Sequence, residues 1–419
     1  MTYKKEVEKI ERKIRELFPE TALEKNNYLS KKYKANIYLK REDLTPVRSY
    51  KIRGAFHFIN KEVEENNSKK FVCASAGNHA QGFAYACHNF KVQGTIFMPT
   101  TTPKQKIDKT REFGGKYVKI ILVGDTFDEA YEESKKFAKK EKAVFVPPFD
   151  HKEIIKAAGT VSVEILNEFG VKDLDAIIFP VGGGGLSSGN TKYLQETSPK
   201  TKIFYAEPLG APSLATALEK KKVVGLDKID TFVDGCAVAK IGEEPFKILK
   251  KSAEKVFLCD ENRVAKTILE FLHQTGIVLE PAGALSIDAL EDLFLDEKRA
   301  KKLKGKNIVA VVSGGNFDFS RLPDLEERRL KYEGLKKYIV LKLPQRPGAL
   351  KEFLNSLGVN DDITRFEYLK KSAKNFGSVL LGIETNKKEN FEKLFKKLKD
   401  NGFDFQDITD NQLLYDFLV

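Results

Sequence analysis

One lysine of the chain stands in a setting where an amine can act as a nucleophile. Lys51 lies between Tyr50 and Ile52 and opens a stretch with helical spacing. A lysine held against apolar groups has a lowered pKa and can form a Schiff base with a carbonyl compound. In so Lys-rich a chain, any one lysine is more commonly a solvated surface amine. For Lys51 taken alone, that interpretation therefore remains an alternative to a nucleophile.

A second segment with chemical potential is the small-residue turn 75–82, whose sequence is SAGNHAQG. It joins an apolar strand to an apolar helix. Such a turn exposes several backbone N–H groups and the positive end of a helix dipole, which suits a carboxylate. Ser75 or Asn78 could equally cap the helix without any ligand, and the two interpretations have about even weight on this segment alone.

Four consecutive glycines and a leucine follow the predicted strand 176–181 directly, at residues 182–186. Consecutive glycines cost conformational entropy and contribute no side-chain packing. A flexible linker is the alternative interpretation, but a linker would not follow a buried strand inside an α/β pattern. A backbone nest around a phosphate group explains the run better. The segment is not a P-loop, because no GK[ST] motif follows it.

A smaller signal of the same kind is the sequence SGGN at residues 313–316, which follows the apolar run 308–312. It places the hydroxyl of Ser313 at the end of a strand, although a plain turn would need no function. Together the segments supply an amine, a carboxylate-binding turn and a phosphate-binding turn. That combination predicts a phosphorylated aldehyde cofactor, pyridoxal 5'-phosphate (PLP).

The elements that must position these residues alternate between strand and helix from about residue 36 to residue 313. Such alternation predicts mostly parallel sheets covered by helices, with ligands at the carboxyl ends of the strands. The predicted strands are 37–40, 71–74, 95–98, 117–123, 143–146, 176–181, 203–206 and 308–313.

The composition changes at Phe319, and the charged stretch 321–337 is predicted to be a helix-containing linker. Beyond it the pattern predicts strands at 338–343, 363–368, 378–384 and 403–408, with helices at 350–357 and 390–401. That βαββαβ order is typical of a ferredoxin-like α+β domain.

Composition excludes several other classes of protein. The net charge of +12 comes from lysines spread along the whole chain, and no nucleic-acid-binding motif accompanies them. No apolar run approaches the ~20 residues that span a bilayer, and residues 1–18 read as an amphipathic helix. The four cysteines and five histidines are scattered, which predicts buried thiols, no metal site and a cytoplasmic protein.

The motifs at residues 49–55, 75–82, 182–186 and 313–316 closely resemble those of the threonine dehydratases, which are fold-type II PLP enzymes. Residues 345–350 and 360–368 resemble an ACT-like regulatory domain, present once, as in the short biosynthetic form. The resemblance implies a catalytic domain over 1–320 with two mostly parallel α/β subdomains, the smaller one at about 50–150. A linker at 321–337 and an ACT-like domain at 338–419 would follow.

The resemblance also implies a role for each matching residue. Lys51 would carry PLP as a Schiff base and remove the α-proton of the substrate. Asn78 would bond the ring hydroxyl and Ser313 would contact the pyridine nitrogen. The phosphate would be bound by the backbone of Gly182, Gly183, Gly184, Gly185 and Leu186. The substrate carboxylate would be held by Ser75, Gly77, Asn78 and His79.

The implied reaction converts L-threonine to 2-oxobutanoate and ammonia, the first committed step of isoleucine biosynthesis, with isoleucine as inhibitor and a homotetrameric assembly. Two residues depart from related serine racemases. Ala76 stands where those enzymes carry a proton-transferring serine, which disfavours racemisation. Ser213 stands where a second acidic residue of a cation site is expected, which predicts no firm metal site.

Two alternatives remain open at the level of the sequence, and the second belongs to another class of protein. One is a different PLP reaction on the same scaffold, such as serine dehydration, racemisation or β-replacement. The other is a non-catalytic amino-acid sensor whose binding function lies in residues 338–419. Lys51 and the glycine run argue against the sensor.

Overall fold

The computed structural model describes residues 2–170, 173–252, 254–369 and 375–418. The chain divides into two compact units, Met1–Phe319 and Ser320–Val419. Met1 and Val419, which begin and end segments predicted from the sequence, lie outside the described residues.

The first unit contains two sheets. Its strands are β1 Leu23–Lys25, β2 Asn36–Arg41, β3 Lys70–Ala74, β4 Gln93–Met98, β5 Val118–Leu122, β6 Val144–Phe145, β7 Ala176–Pro180, β8 Lys202–Pro208, β9 Lys255–Cys259 and β10 Asn307–Val312. The larger sheet has the order β1-β2-β10-β7-β8-β9 and the smaller one β5-β4-β3-β6. All pairs are parallel except β1 with β2, which confirms the predicted pair of mostly parallel sheets.

Helices pack against both sheets of this unit. They are α1 Tyr3–Ile14, α2 Asn27–Tyr33, α3 Lys51–Asn66, α4 Asn78–Phe90, α5 Lys104–Gly114, α6 Phe127–Glu141, α7 Lys152–Ala158, α8 Thr160–Phe169, α9 Gly185–Thr197, α10 Ser213–Lys220, α11 Glu243–Leu249, α12 Glu261–Thr275, α13 Pro281–Leu295 and α14 Glu297–Leu303. The predicted amphipathic helix at the N-terminus is α1, which buries Val7, Ile10 and Ile14. No helix in the described part of the chain is both long and apolar enough to cross a membrane.

Each sheet has its own hydrophobic core. Strands β7, β8 and β10 contribute to one core, and β3 and β4 contribute to the others. The four strands of the smaller sheet are consecutive in the sequence. They come after β2 and before β7, two strands of the larger sheet. All four cysteines are free and buried in this unit.

A buried charge cluster holds the start of α3 in place. Arg53 is fully buried and donates to both oxygens of Glu42 at 2.7 and 2.8 Å and to both oxygens of Glu164 at 2.5 and 2.9 Å. Lys40 and Arg15 also donate to Glu164, each at 2.6 Å. Although burial opposes it, the positive charges of Arg53 and Lys40 lower the pKa of Glu164 to about 2. The cluster therefore ties α3 to β2, α1 and α8, two residues beyond Lys51.

The second unit is a four-stranded antiparallel sheet with the order β12-β13-β11-β14. Its strands are β11 Lys336–Pro344, β12 Asp362–Leu369, β13 Phe376–Glu384 and β14 Asp404–Asp407, and its helices are α15 Leu322–Tyr332, α16 Ala349–Leu354, α17 Glu389–Asp400 and α18 Gln412–Leu418. The sequence order of strands and helices from β11 to β14 is βαββαβ, which confirms the predicted ferredoxin-like fold. The helices α16 and α17 bury Phe353, Leu394 and Leu398 against one face of the sheet.

The stretch predicted as a helix-containing linker begins the second unit. Helix α15 packs on β11, where Glu327 forms a salt bridge with Lys336 at 2.5 Å. Leu325 of the same helix is buried. Strand β11 also starts two residues earlier than predicted, because Lys336 and Lys337 both pair with β13.

Candidate active site

Lys51 is the first residue of α3, and its amine is enclosed by protein. The Nζ atom donates to the carbonyl oxygen of Pro148 at 2.9 Å and lies 5.3 Å from the ring centre of Tyr50 and 5.9 Å from that of Phe149. Burial lowers the pKa of Lys51 to about 8. An appreciable fraction of this amine is therefore neutral near neutral pH, which a nucleophile or a proton acceptor requires.

The amine shares a cavity with the start of α9. Lys51 and Gly185 both line this cavity, which connects the predicted nucleophile with the predicted phosphate loop. Further lining residues are Tyr50, His79, Pro148 and Ile154.

The glycine run turns the chain from β7 into α9, and three of its positions have no room for a side chain. A Cβ atom would lie 2.8 Å from Cys236 Cα at Gly182, 2.3 Å from the Phe149 ring at Gly183 and 2.7 Å from Pro245 Cβ at Gly184. Gly184 also has a φ of +85°. The turn therefore leads bare backbone to the N-terminus of a helix, where N–H groups lack partners within the helix and can bind an anion.

Leu186 follows the run inside α9, and its side chain is buried in the core of the larger sheet. Its backbone N–H is the part of the residue that belongs to the turn. The predicted contribution of Leu186 to anion binding is thus compatible with its structural role.

The turn 75–78 leads from β3 into α4, whose N-terminus packs directly on the start of α3. At Gly82 a Cβ atom would lie 3.0 Å from the backbone nitrogen of Ile52 and from the carbonyl carbon of Lys51. The hydroxyl of Ser75 accepts from the N–H of Gly77 at 3.2 Å. A glycine at position 82 therefore brings the predicted carboxylate-binding turn next to the lysine.

His79 lies in the same turn but is almost fully buried. Its Nε2 atom donates to the carbonyl oxygen of Val146 at 3.0 Å, which leaves Nδ1 as an acceptor. Burial, together with the charge of Lys51, lowers the pKa of His79 to about 3. The ring is therefore neutral, and it contributes no positive charge toward a carboxylate.

The side chain of Asn78 contacts a carboxylate that the sequence analysis did not identify. Its Nδ2 atom donates to Glu280 Oε1 at 2.7 Å and Oε2 at 3.0 Å, and its Oδ1 atom accepts from Asn316 Nδ2 at 2.8 Å. Glu280 precedes Pro281 at the start of α13 and is buried, which raises its pKa to about 7. A carboxylate directly before a helix-starting proline, after the apolar run 277–279, was the available signal.

Ser313 follows β10, the strand between β2 and β7. Its carbonyl oxygen accepts from the N–H of Tyr50 at 3.1 Å, and Gly314 forms a bridge with Ser49. Since β10 and β7 are parallel neighbours, Ser313 and Gly182 lie at the same edge of the larger sheet. The structure thus brings the serine beside the segment that carries Lys51.

These features fit a phosphorylated aldehyde. The amine has a lowered pKa, and the glycine turn forms a cradle that side chains would fill. A hydroxyl stands at the same sheet edge. PLP, which has an aldehyde, a phosphate and a pyridine nitrogen, needs one partner of each of these three kinds.

The described residues contain no group of three or more His, Cys, Asp or Glu side chains arranged to hold a metal ion. Ser213, which stands where a second acidic residue of a cation site is expected, bonds to the buried carboxyl group of Glu207. The Ser213 hydroxyl donates to Glu207 Oε1 at 3.3 Å, and the N–H groups of Leu214 and Ala215 donate to the same carboxyl group. Burial raises the pKa of Glu207 to about 7.

Comparison with known families agrees with this geometry. Residues 14–314 match the family model described as pyridoxal-phosphate dependent enzyme. The class of protein that the fold and the lysine–glycine site define is therefore a PLP-dependent enzyme. Residues 327–418 match a second model, the C-terminal regulatory domain of threonine dehydratase.

Comparison with individual proteins shows which kind of PLP-dependent enzyme the chain resembles. The chain is 48% identical to the biosynthetic L-threonine dehydratase IlvA of Halalkalibacterium halodurans, covering 97% of this chain and 96% of that protein. It is 44% identical to the same enzyme of Bacillus subtilis, covering 99% and 97%. Among solved structures, the processed threonine deaminase isoform 2 of Solanum lycopersicum has a TM-score of 0.68 and 37% identity, covering 74% and 88%. The chain belongs to the family of the biosynthetic threonine dehydratases.

Proposed function

We propose that this chain dehydrates and deaminates L-threonine, giving 2-oxobutanoate and ammonia. The observation that carries the proposal is the shared cavity of the Lys51 amine and the N-terminus of α9. Both the amine and the anion-binding turn are needed to hold one PLP molecule. The full-length similarity to biosynthetic threonine dehydratases supports threonine as the substrate.

We propose specific roles for the residues around the cofactor. Lys51 would bind PLP covalently, and Ser313 would contact the pyridine nitrogen. Asn78 would bond the ring hydroxyl. The phosphate would be bound by the backbone N–H groups of Gly182, Gly183, Gly184, Gly185 and Leu186. When bound, PLP supplies an electron sink for the negative charge that develops on the α-carbon of an amino acid.

The protein's own contribution to the reaction is then proton transfer and positioning. Lys51 Nζ would take the α-proton, a role that its pKa of about 8 supports because the neutral amine is accessible. The rings of Tyr50 and Phe149 lie 5.3 and 5.9 Å from the amine and give it an apolar environment. The substrate carboxylate would be held by Ser75, Gly77, Asn78 and His79, through the N–H groups at the start of α4, since His79 is neutral.

The test is production of 2-oxo acid from L-threonine and from L-serine by the wild type and by Lys51→Ala. We expect threonine to be the better substrate by a modest factor, since one methyl group in a pocket contributes only about 1–3 kcal/mol. Lys51→Ala should lose the absorbance of covalently bound PLP and at least about 10²–10⁴-fold in rate. Lys61→Ala, which alters a lysine of the same helix outside the cavity, is the matched control. Unchanged threonine turnover in Lys51→Ala would contradict the proposal.

We also infer that the second unit binds an amino-acid effector and that this effector is isoleucine. The match of residues 327–418 to a threonine dehydratase regulatory domain supports a regulatory role. Isoleucine is the proposed end product of the pathway, and an effector acts only by binding one of two states more tightly. A cytoplasmic homotetramer is the assembly we expect, and sedimentation velocity measures it.

A further inference from the structure

Glu280 is a buried carboxyl group beside the proposed cofactor site. Its side chain is 5% exposed and approaches the turn after β10 so closely that a Cβ atom at Gly314 would lie 2.2 Å from Oε1. A glycine at position 314 is therefore what lets the carboxyl group reach this place. Burial of a charged carboxylate costs free energy unless hydrogen bonds or charges compensate, so the groups that contact Glu280 matter.

The hydrogen-bond partners of this carboxyl group in the described residues are neutral donors. Asn78 Nδ2 donates to both oxygens, and the backbone N–H of Asn316 donates to Oε2 at 3.3 Å. Within the ranges that the structure describes, Glu280 forms no salt bridge. Charged or titratable groups face it from the start of α3, from α5 and from the loop before α11: Tyr50, Lys51, Lys106, Lys109, Asp234 and Cys236.

Hydrogen-bond donors and acceptors fix the orientation of both asparagine side chains. Lys109 Nζ can only donate, and it lies 3.4 Å from Asn316 Oδ1. The carbonyl of Val47 can only accept, and it lies 2.8 Å from Asn316 Nδ2. The same Nδ2 atom donates to Asn78 Oδ1, so Asn78 must turn its own Nδ2 toward Glu280.

Among the residues that the structure describes, the amide nitrogen of Asn78 needs only one of its two N–H groups for the Glu280 carboxylate. The two oxygens of one carboxylate are close enough for a single N–H to reach both, and an amide nitrogen carries two hydrogens. One N–H group thus remains for a ligand oxygen. An ionised Glu280 can only accept. This is therefore the one orientation of the Asn78 amide that satisfies Glu280, Asn316 and a ligand oxygen.

We propose that Glu280 is a positioning residue for the cofactor, which acts by fixing the side-chain amide of Asn78 and by placing a negative charge near Lys51. The inference rests on the proposed contact between Asn78 and PLP. It adds the residue that precedes α13 to a site otherwise built from the starts of α3, α4 and α9 and the turn after β10. The negative charge favours the protonated form of a nitrogen at position 51.

The test is Glu280→Gln in the full chain, with PLP as the probe. The carboxamide has the same shape but presents N–H groups to Asn78 or Asn316, so one buried donor loses its partner. We expect the Kd of PLP, measured by titrating the apoprotein, to rise about tenfold. We also expect the pH midpoint of the bound cofactor's absorbance to fall, because the negative charge has gone. Glu261→Gln is the matched control, since Glu261 is also a buried carboxyl group that accepts a backbone N–H, at 2.7 Å from Gly210, away from the site.

Asn78→Ala and the double variant decide whether Glu280 acts through Asn78. In the Asn78→Ala background, Glu280→Gln should change the Kd of PLP much less than in the wild type. An equal change in both backgrounds would overturn the proposal. If Glu280→Gln does not fold, Glu280→Asp serves instead: it should weaken PLP binding with an unchanged pH midpoint, and wild-type affinity would overturn the proposal.

Failure of this inference is distinguishable from failure of the proposed function. A wild type that binds no PLP, or a Lys51→Ala variant that binds it as the wild type does, would end the proposed function. A wild type that binds PLP together with a Glu280→Gln variant of equal affinity and equal pH midpoint would overturn the role of Glu280 alone.

Discussion

Gly184 is the position in the glycine run where the backbone conformation itself requires glycine. Its φ of +85° lies in the left-handed region, and a Cβ atom would lie 2.7 Å from Pro245. We expect Gly184→Ala to lower the free energy of unfolding by about 2–4 kcal/mol, from backbone strain plus crowding. Urea unfolding measures this, and PLP affinity should fall as well.

A matched control for Gly184 exists at the end of α12. Gly276 has a φ of +71°, but nothing lies within 4 Å of its added Cβ atom. Gly276→Ala should therefore show the strain alone, about 1–2 kcal/mol, with unchanged PLP affinity. Equal losses in both variants would mean that crowding at Gly184 is unimportant.

Glu207 gives a pH dependence whose sign follows from its raised pKa. The pKa is about 7 in the folded protein against an ordinary value of 4.5, so the folded state binds more protons between these pH values. Stability from this group is full below pH 4.5 and is lost as the pH rises through 7. As the pH rises from 4.5 to 8, the free energy of unfolding of Glu207→Gln should therefore increase relative to that of the wild type by up to about 3 kcal/mol.

The control for this pH series is Glu129→Gln. Glu129 is exposed, and hydrogen bonds from Asp125 and Thr126 lower its pKa, so the stability it contributes is lost as the pH falls. Its pH dependence should have the opposite sign and a small size. Denaturant midpoints measured across the pH series would contradict the prediction if the two variants changed in the same direction.

The residues that could be predicted from the sequence are those with a local signal. Lys51 opens a helix and the run from Gly182 to Gly185 follows an apolar strand, and Lys51 and Gly185 line one cavity. The signal of Glu280, a carboxylate directly before a helix-starting proline, was weak, and Phe149 had none. Each reaches the site only through chain segments that are distant in the sequence, and a buried carboxylate before a proline is indistinguishable from an ordinary helix start.

At the level of elements, the neighbouring residues Phe149 and Asp150 contact the glycine run and the start of α11, respectively. The Asp150 carboxylate accepts from the N–H groups of Glu243 and Glu244, both at 3.0 Å, and so caps α11. The preceding residue, Phe149, packs against Gly183 and Gly185. Asp150→Ala should lower the free energy of unfolding by about 1 kcal/mol and weaken PLP binding several-fold, because the ring over the turn loses its anchor.

Thr126→Ala provides the comparison for Asp150. Thr126 caps α6 in a capping box with Glu129, so its loss should have a similar cost of about 1 kcal/mol. PLP affinity should stay unchanged, since α6 lies against the smaller sheet away from the cavity. A thermal melt and a PLP titration of both variants separate the two effects. Equal PLP affinity in both variants would show that Asp150 contributes stability only.

Most strands of the first unit could be predicted, and two could not. The eight predicted strands contain apolar runs, which period and composition reveal. Strand β1 has only three residues, with an intermediate–exposed–exposed burial pattern. Strand β9 is an edge strand whose Leu258 is exposed. Strands β1 and β9 form by pairing with β2 and β8, and that pairing is not evident from their own residues.

At the scale of the whole molecule, the two units have separate hydrophobic cores. A chain that stops after Phe319 should therefore fold, bind PLP and turn over threonine. It should lose any inhibition by isoleucine, because the proposed effector unit is absent. Rates with and without isoleucine, for this chain and for the full chain, measure the effect. Inhibition that persists after truncation would contradict the assignment of regulation to the second unit.

The division of the chain into units could be read from composition, since charge density rises where the first unit ends. The placement of α15 could not, because its attachment to β11 depends on one buried leucine and on the pair between Glu327 and Lys336. The homotetramer stays a prediction for a similar reason. From the sequence, an apolar side chain that is buried at a subunit interface cannot be distinguished from an apolar side chain on the free surface.

The buried cluster around Glu164 limits how this chain can be recombined with its relatives. Arg53, Lys40 and Glu42 reach the cluster from α3 and from the end of β2, and Glu164 reaches it from α8. Each ion is tolerated only in the company of the others, so replacing one leaves an uncompensated charge in the interior. A chimera with a crossover point between residues 53 and 164 remains viable only if both parents carry the same ionic set. Shuffled libraries should therefore inherit these positions together, as a single block.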